Sequence, residues 1–164
     1  EYAGSAIVSL GFTRGGVAHP LDAAGLVIPR REGRRILAVS FSSAKFPGRA
    51  PEGHVLLRTF VGGALDPEAA SWDDDRLLSS VLAELRPLLG VTDEPRLVQI
   101  DRWHGAMPQY TVGHVDRVSR IRDLATAHPG LAIAGAAYEG VGIPQVIASG
   151  RAAAAAILGS GGTA

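Results

Sequence analysis

The amino-acid sequence predicts an α+β chain: a mixed or antiparallel sheet with one helix, followed by a helix, a strand and a second helix. Three observations predict this order. Short apolar runs bounded by Gly, Pro or charged residues fill most of the first hundred positions, the apolar spacing becomes helical after residue 73, and the last third contains two further helical segments around one short apolar run. At 164 residues, 46% of them hydrophobic and 20% charged, the chain has the composition of a globular protein.

The sheet is predicted from short runs with turn residues at both ends. The first run, AGSAIVSLG, is almost continuously apolar, which is typical of a strand covered on both faces. In ILAVSFS and HVLLRTFVG the same pattern recurs, and RLVQIDRW alternates like a further strand. The predicted strands cover residues 3–11, 25–29, 36–42, 54–62 and 96–103.

Helical spacing begins after the three aspartates at 73–75, whose charge favours a helix start. Apolar residues then recur every three or four positions up to Leu89, although Pro87 makes the end of this helix uncertain by a turn. A second amphipathic helix is predicted over residues 114–128, where Pro129 and Gly130 end it.

A strand, a glycine-containing loop and a helix are predicted in succession at residues 131–134, 135–142 and 144–158. Glycines let the backbone approach a ligand closely, and the free N–H groups at a helix start favour an anionic or electron-rich atom. A plain connection between strand and helix is the alternative. Because a lone strand leaves its backbone groups unpaired, its sheet partners are expected in polypeptide outside this sequence.

Composition argues against several classes of function. Sixteen basic residues balance sixteen acidic ones, so nucleic acid is not an expected partner. With no Cys and no pair of histidines at ligand spacing, no metal site is predicted. No membrane-spanning segment and no signal peptide are found, so a cytoplasmic location is expected, with peripheral membrane association left open.

Four motifs, in order, resemble the C-terminal part of FAD-dependent porphyrinogen oxidases of the amine-oxidase-like flavoprotein superfamily. They are FSSAKFPGRAPEG at residues 41–53, TFVGGA at 59–64, MPQYTVGH at 107–114, and GAAYEGVGIP at 135–144 followed by SGR at 149–151. The resemblance implies that the parent enzyme oxidises protoporphyrinogen IX or coproporphyrinogen III to the porphyrin, with FAD as cofactor and O2 as acceptor. In such enzymes the segment matching residues 141–146 lies at the flavin, where a helix dipole favours negative charge on the reduced ring.

The resemblance also implies a set of cofactor-binding residues and a division of the chain. Residues 1–104 would be part of a substrate-binding domain and residues 105–164 the C-terminal part of an FAD-binding domain. An aromatic position near the flavin matches Trp103, although packing is an alternative role for this side chain. The implied cofactor-binding residues are Trp103, Gly135, Gly140, Val141, Gly142, Ile143, Pro144, Gln145 and Val146.

The sequence departs from the family's pattern in two respects. It contains no G-x-G-x-x-G unit, so the N-terminal half that holds the ADP moiety is an expected partner and this part alone is expected to be inactive. Ala136 stands where the broader superfamily often has a polar residue at the cofactor. No catalytic residue is assigned. Another amine-oxidase-like flavoprotein, or a β-rich binding module without catalysis, remains an alternative.

Overall fold

A computed structural model describes residues 1–160 of the chain. These residues form a five-stranded antiparallel sheet and four α-helices, which confirms the predicted fold class. The strands are β1 (Tyr2–Thr13), β2 (Gly25–Val27), β3 (Ile36–Phe41), β4 (His54–Gly62) and β5 (Leu97–Pro108). The helices are α1 (Ser42–Lys45), α2 (Asp74–Leu89), α3 (His114–Thr126) and α4 (Ile143–Ser160).

The chain divides into two compact units. The sheet unit is Tyr2–Met107, and the helical unit begins at Pro108 and includes Glu1. The predicted boundary between residues 104 and 105 lies close to this division. The assignment of the units to substrate-binding and FAD-binding domains stays a prediction.

The strands of the sheet unit are arranged in the order β2-β3-β4-β1-β5. In the centre, β1 and β4 pair antiparallel from Ser5 opposite Gly62 to Thr13 opposite His54. A register shift between Ile36 and Ala38 marks a bulge in the pairing of β3 with β4. Side chains of β1 alternate between buried and half-buried, so this strand is fully covered on one face only, not on both as its apolar sequence predicted.

Helix α2 covers one face of the sheet and completes the core. Its apolar positions recur at helical spacing, which places Leu77, Val81, Leu85 and Leu89 on one buried stripe. They pack with inward-facing residues of the strands, such as Leu10 of β1. The core is therefore a sheet and a helix in two layers, and the opposite face of the sheet is left outside it.

Both ends of α2 are satisfied by groups within the sheet unit. Asp73 accepts a hydrogen bond from the Arg76 N–H at 2.8 Å, as an N-cap residue does. At the other end Gly90 adopts a left-handed conformation with φ 61°, and the Leu89 carbonyl accepts from the His19 N–H at 3.0 Å. Pro87 lies inside the helix two residues before its end, so it does not stop the helix.

Three local predictions need correction. Strand β5 continues to Pro108, beyond the predicted end at residue 103. Residues 131–134 do not form the predicted strand, because no strand within residues 1–160 pairs with them. The short helix α1, inside the first motif, was not predicted. No helix within residues 1–160 combines the length with the apolar content that a bilayer crossing requires.

Candidate functional site

The candidate site lies in the helical unit, where a loop leads into α4. Two of its glycines have backbone conformations that residues with a side chain rarely adopt: φ is 116° at Gly135 and 71° at Gly140. A turn follows the first glycine, with the Tyr138 N–H donating to the Gly135 carbonyl at 3.1 Å. These glycines therefore set the path of the loop.

The backbone N–H groups of the loop are of two kinds. That of Gly135 is already used, because it donates to the Ser149 hydroxyl at 2.8 Å. Those of Gly142, Ile143 and Gln145, at the start of α4, have no acceptor among residues 1–160. Free N–H groups at a helix start carry partial positive charge, so this end of α4 favours an anionic or electron-rich atom.

The side chain of Gln145 lies against two of the loop glycines. A Cβ atom added at Gly140 would lie 2.6 Å from the Gln145 Cβ, and one added at Gly142 would overlap the Gln145 Oε1. Gln145 is the third residue of α4, a position from which Glu or Gln commonly reaches back toward the residue before a helix. Larger side chains at Gly140 or Gly142 would therefore displace Gln145 and change the start of the helix.

Two side chains from the segment before the loop hold it in place. The Tyr110 hydroxyl donates to the Ala136 carbonyl at 2.6 Å. The His114 Nε2 lies 3.0 Å from the Tyr138 carbonyl, and because a carbonyl only accepts, this nitrogen must carry the proton. The two rings stack on each other, with centroids 3.8 Å apart and planes 10° apart. The motifs at 107–114 and 135–144 thus meet in the structure.

A charged pair adds a further contact between α3 and the loop. Arg122 of α3 binds the Glu139 carboxylate through its Nη2. Both side chains are largely exposed, so this ion pair contributes little to stability.

These loop-holding residues were not identified from the sequence as parts of a site. Tyr110, His114 and Glu139 were only members of motifs, and Arg122 was an ordinary charge on a predicted helix. Ser149 lies in the same motif as Gly135, but the sequence does not show that its hydroxyl accepts from the Gly135 N–H. The contacts of Tyr110 and His114 bridge more than twenty positions, which a local pattern does not reveal.

The structure brings together eight of the nine predicted site residues. They lie in the loop and in the first turn of α4: Gly135, Gly140, Val141, Gly142, Ile143, Pro144, Gln145 and Val146. The ninth, Trp103, belongs to β5 of the sheet unit, where it is 54% exposed. Their contact with a cofactor stays a prediction. Among residues 1–160, no three His, Cys, Asp or Glu side chains are placed to hold a metal ion.

A comparison with protein families assigns the chain to a class. The model of the flavin-containing amine oxidoreductases matches residues 1–158. Since this match covers nearly the whole sequence, the chain belongs to that family, and a flavin cofactor follows for the parent protein.

Within this family, the chain is similar to proteins named as porphyrinogen oxidases. The chain is 41% identical over 147 residues to a coproporphyrinogen III oxidase of Bacillus subtilis, and 46% identical over 124 residues to one of Propionibacterium freudenreichii. These alignments cover 89% and 75% of this chain, but only 31% and 23% of the relatives. Protoporphyrinogen oxidase of Nicotiana tabacum is 32% identical over 161 residues. The chain thus spans about a third or less of the curated relatives it matches.

Solved structures agree with the sequence comparison. A crystal structure of a candidate protoporphyrinogen oxidase from Exiguobacterium superposes with a TM-score of 0.80 at 34% identity, covering 98% of this chain and 34% of that one. Reduced UDP-galactopyranose mutase superposes on 77% of the chain with a TM-score of 0.62. At 15% identity, this second likeness shows a shared fold only.

Proposed function

We propose that this chain is part of an FAD-dependent porphyrinogen oxidase of haem biosynthesis. The parent enzyme would oxidise coproporphyrinogen III or protoporphyrinogen IX to the porphyrin with O2 as acceptor. The observation that carries this proposal is the similarity, over most of the chain, to relatives named for these two activities. In the overall reaction the macrocycle loses six electrons and six protons, while three O2 molecules become three H2O2.

In this proposal the loop and the start of α4 would hold part of the flavin. Bound FAD would supply the two-electron acceptor for the macrocycle and would itself be reoxidised by O2. The open N–H groups of Gly142, Ile143 and Gln145 would hold an electron-rich edge of its ring, and the helix dipole would favour negative charge there. Tyr110 and His114 are positioning residues, since they fix the loop that carries these amides.

We assign different tasks to the two units. The helical unit would complete an FAD-binding domain whose phosphate-binding part lies in the rest of the parent protein. The exposed apolar side chains of Leu131, Val141 and Ile143 support this assignment, because a domain with additional strands would cover such residues. The sheet unit, with its own core, would form part of the substrate-binding domain.

Turnover by the full-length protein tests the proposal. The protein is purified with its flavin and mixed aerobically with coproporphyrinogen III or protoporphyrinogen IX, and porphyrin fluorescence and H2O2 are recorded. We expect at least one substrate to yield porphyrin with three equivalents of H2O2. Bound flavin without porphyrin formation would indicate another flavoenzyme of the family, and a flavin-free protein would leave only a binding module.

A further inference from the structure

Residues 17–22, which lead toward β2, contain a strained backbone position. We call this segment the entry turn. Leu21 has φ 55°, and within residues 1–160 it is the one residue other than glycine with a positive φ. A left-handed backbone is unfavourable for a leucine, so it persists only where surrounding contacts hold it. The Leu21 side chain is buried in the core, so relaxation of the turn would move a core residue.

A hydrogen bond to a histidine ring closes the entry turn. The Leu21 N–H donates to the His19 Nδ1 at 2.9 Å. Asn and Asp close turns in the same way, since their side-chain oxygen accepts from the N–H two residues further along. Because Nδ1 accepts here, it carries no proton, and the neutral ring has its proton on Nε2.

The backbone of the entry turn is held by groups whose charge does not change near neutral pH. The Arg14 guanidinium donates to the carbonyls of His19 and Pro20 at 3.0 and 3.1 Å. The His19 N–H donates to the Leu89 carbonyl at the end of α2, at 3.0 Å. The His19 ring lies beside that of Phe41 in β3, with centroids 5.3 Å apart. Histidine is the side chain that changes charge near neutral pH, and the entry turn contains one.

The charges around the His19 ring do not offer it a carboxylate partner. The Arg14 guanidinium repels a charged imidazole, whereas the carboxyl end of α2 attracts one. Two acids lie on the neighbouring segments: Asp22, and Asp93, which accepts from the Thr13 hydroxyl at 2.8 Å. Within residues 1–160 neither acid forms an ion pair with His19. A protonated ring therefore gains no ion pair in place of the hydrogen bond it loses.

The entry turn places the edge strand of the sheet. After the turn, the Ala24 carbonyl accepts from the Phe41 N–H at 3.0 Å, and residues 25–27 then pair with β3 as strand β2. A strand of three residues has few hydrogen bonds of its own, so its position depends on the segment that precedes it. Release of the turn would therefore loosen β2.

We propose that His19 is a pH-sensitive latch for residues 20–27: the neutral ring holds Leu21 in its left-handed conformation, and the protonated ring releases it. An imidazolium carries a proton on both nitrogens, so its Nδ1–H would face the Leu21 N–H, and two donors cannot bond each other. The edge strand thus loosens as the pH falls from about 8 to about 5, the interval in which imidazoles gain a proton. This inference concerns the sheet unit and does not depend on the proposed function.

Hydrogen exchange of the full-length protein, followed by mass spectrometry at about pH 8 and about pH 5, tests the latch. Observed rates are divided by the intrinsic rates at each pH, which removes the chemical pH dependence of exchange. We expect the protection of residues 21–27 to fall by about twofold to tenfold at the lower pH, as expected for the loss of one hydrogen bond. Residues 55–61 of central strand β4 are the internal reference and should change less.

Variants at position 19 separate the latch from a general effect of acid. Asn has an oxygen at the same position along the side chain as Nδ1 and does not titrate, so His19→Asn should keep residues 21–27 protected at both pH values. His19→Leu removes the acceptor and should give low protection at both. Leu21→Gly relieves the strain and should reduce the pH response. His54→Asn is the matched control; it replaces a histidine whose Nδ1 contacts the Glu52 carbonyl, and it should keep the wild-type response.

Two results would overturn the inference. One is a pH response of residues 21–27 that persists in His19→Asn or equals that of β4 in the wild-type protein. The other is wild-type protection of these residues at about pH 8 in His19→Leu, which would show that the ring does not hold the turn. If His19→Leu does not fold, the comparison of the wild-type protein with His19→Asn decides alone.

Discussion

The sheet unit and the helical unit differ in how much apolar surface they bury. Among residues 1–160, all the buried hydrophobic side chains except Val118 belong to the sheet unit. In the helical unit, large apolar residues such as Val112, Val115 and Leu124 are exposed. A sheet with α2 across one face supplies two layers within the sheet unit, whereas residues 109–160 of the helical unit form no strand.

This difference shows which properties are local to the chain. The sheet unit has its own hydrophobic core, so the effects of substitutions in that core follow from contacts within the unit. The helical unit instead organises a loop and a helix start, and in our proposal its apolar side chains are covered by the rest of the parent protein. Substitutions there should act mainly on cofactor binding.

The largest expected effect is the loss of a core leucine of α2. Leu85 is fully buried, so Leu85→Ala should lower the free energy of unfolding by about 2–5 kcal/mol. Leu124→Ala in α3 is the matched control from the helical unit; its side chain is 62% exposed, and a change within about 0.5 kcal/mol is expected from the exposure alone. Urea unfolding of the full-length protein measures both. Equal losses would show that the helical unit has a core of comparable density.

Loss of one loop contact should weaken cofactor binding. Tyr110→Phe removes the hydroxyl that donates to the Ala136 carbonyl, a contribution of about 0.5–1.5 kcal/mol. Flavin affinity, measured by reconstituting the flavin-free full-length protein, should fall by about twofold to tenfold. Tyr2→Phe, in the sheet unit, should leave it unchanged. A lower melting temperature of the flavin-free Tyr110→Phe protein with unchanged flavin affinity would make Tyr110 a purely structural residue.

Replacing one buried hydroxyl in the sheet unit should raise the free energy of unfolding. Thr59 faces the core from β4, and its Oγ1 has no hydrogen-bond partner among residues 1–160. Thr59→Val keeps the shape and removes the desolvated oxygen, so the free energy of unfolding should rise by up to about 1 kcal/mol. Thr13→Val is the control, because the Thr13 hydroxyl accepts from the Gly16 N–H and donates to Asp93. A higher free energy of unfolding in both variants would show that the unpaired Thr59 oxygen is not the cause.

The smallest effect is a pH dependence from one acid on α2. Burial alone would raise the pKa of Glu84. Hydrogen bonds from the Arg35 N–H and the Arg34 guanidinium, together with the positive charges of Arg34 and Arg35, lower the pKa by more than burial raises it, so it lies below its ordinary value. Such a carboxylate stabilises the fold above its unfolded pKa, and this stabilisation is lost as the pH falls through its folded pKa.

Glu84→Gln should therefore reduce the difference in urea midpoint between neutral pH and about pH 3. Glu52→Gln, in an exposed turn, is the control and should leave this difference unchanged. An unaltered pH profile in Glu84→Gln would show that the ion pair with Arg34 does not contribute to folding.

Much of the sheet unit could be predicted from sequence, because its signals are local. Alternating and continuous apolar runs marked the strands, and the spacing from Leu77 to Leu89 marked α2. The strand predicted at residues 131–134 is not formed. A strand needs a neighbour that pairs with its backbone groups, and a local sequence pattern does not show whether such a neighbour is present. The glycine loop was located by its residue types, whereas its supports, Tyr110, His114 and Ser149, act across long separations and needed coordinates.

The flavin content of the full-length protein tests most directly whether the loop of the helical unit meets the cofactor. Gly142→Leu would displace Gln145 and alter the start of α4, so the purified variant should contain at most about a tenth of the wild-type flavin. Gly150→Ala, inside the same helix where a Cβ atom meets nothing within 4 Å, should keep full occupancy. Full flavin occupancy in Gly142→Leu, measured by visible absorbance per protein, would contradict the assignment of this loop to the flavin.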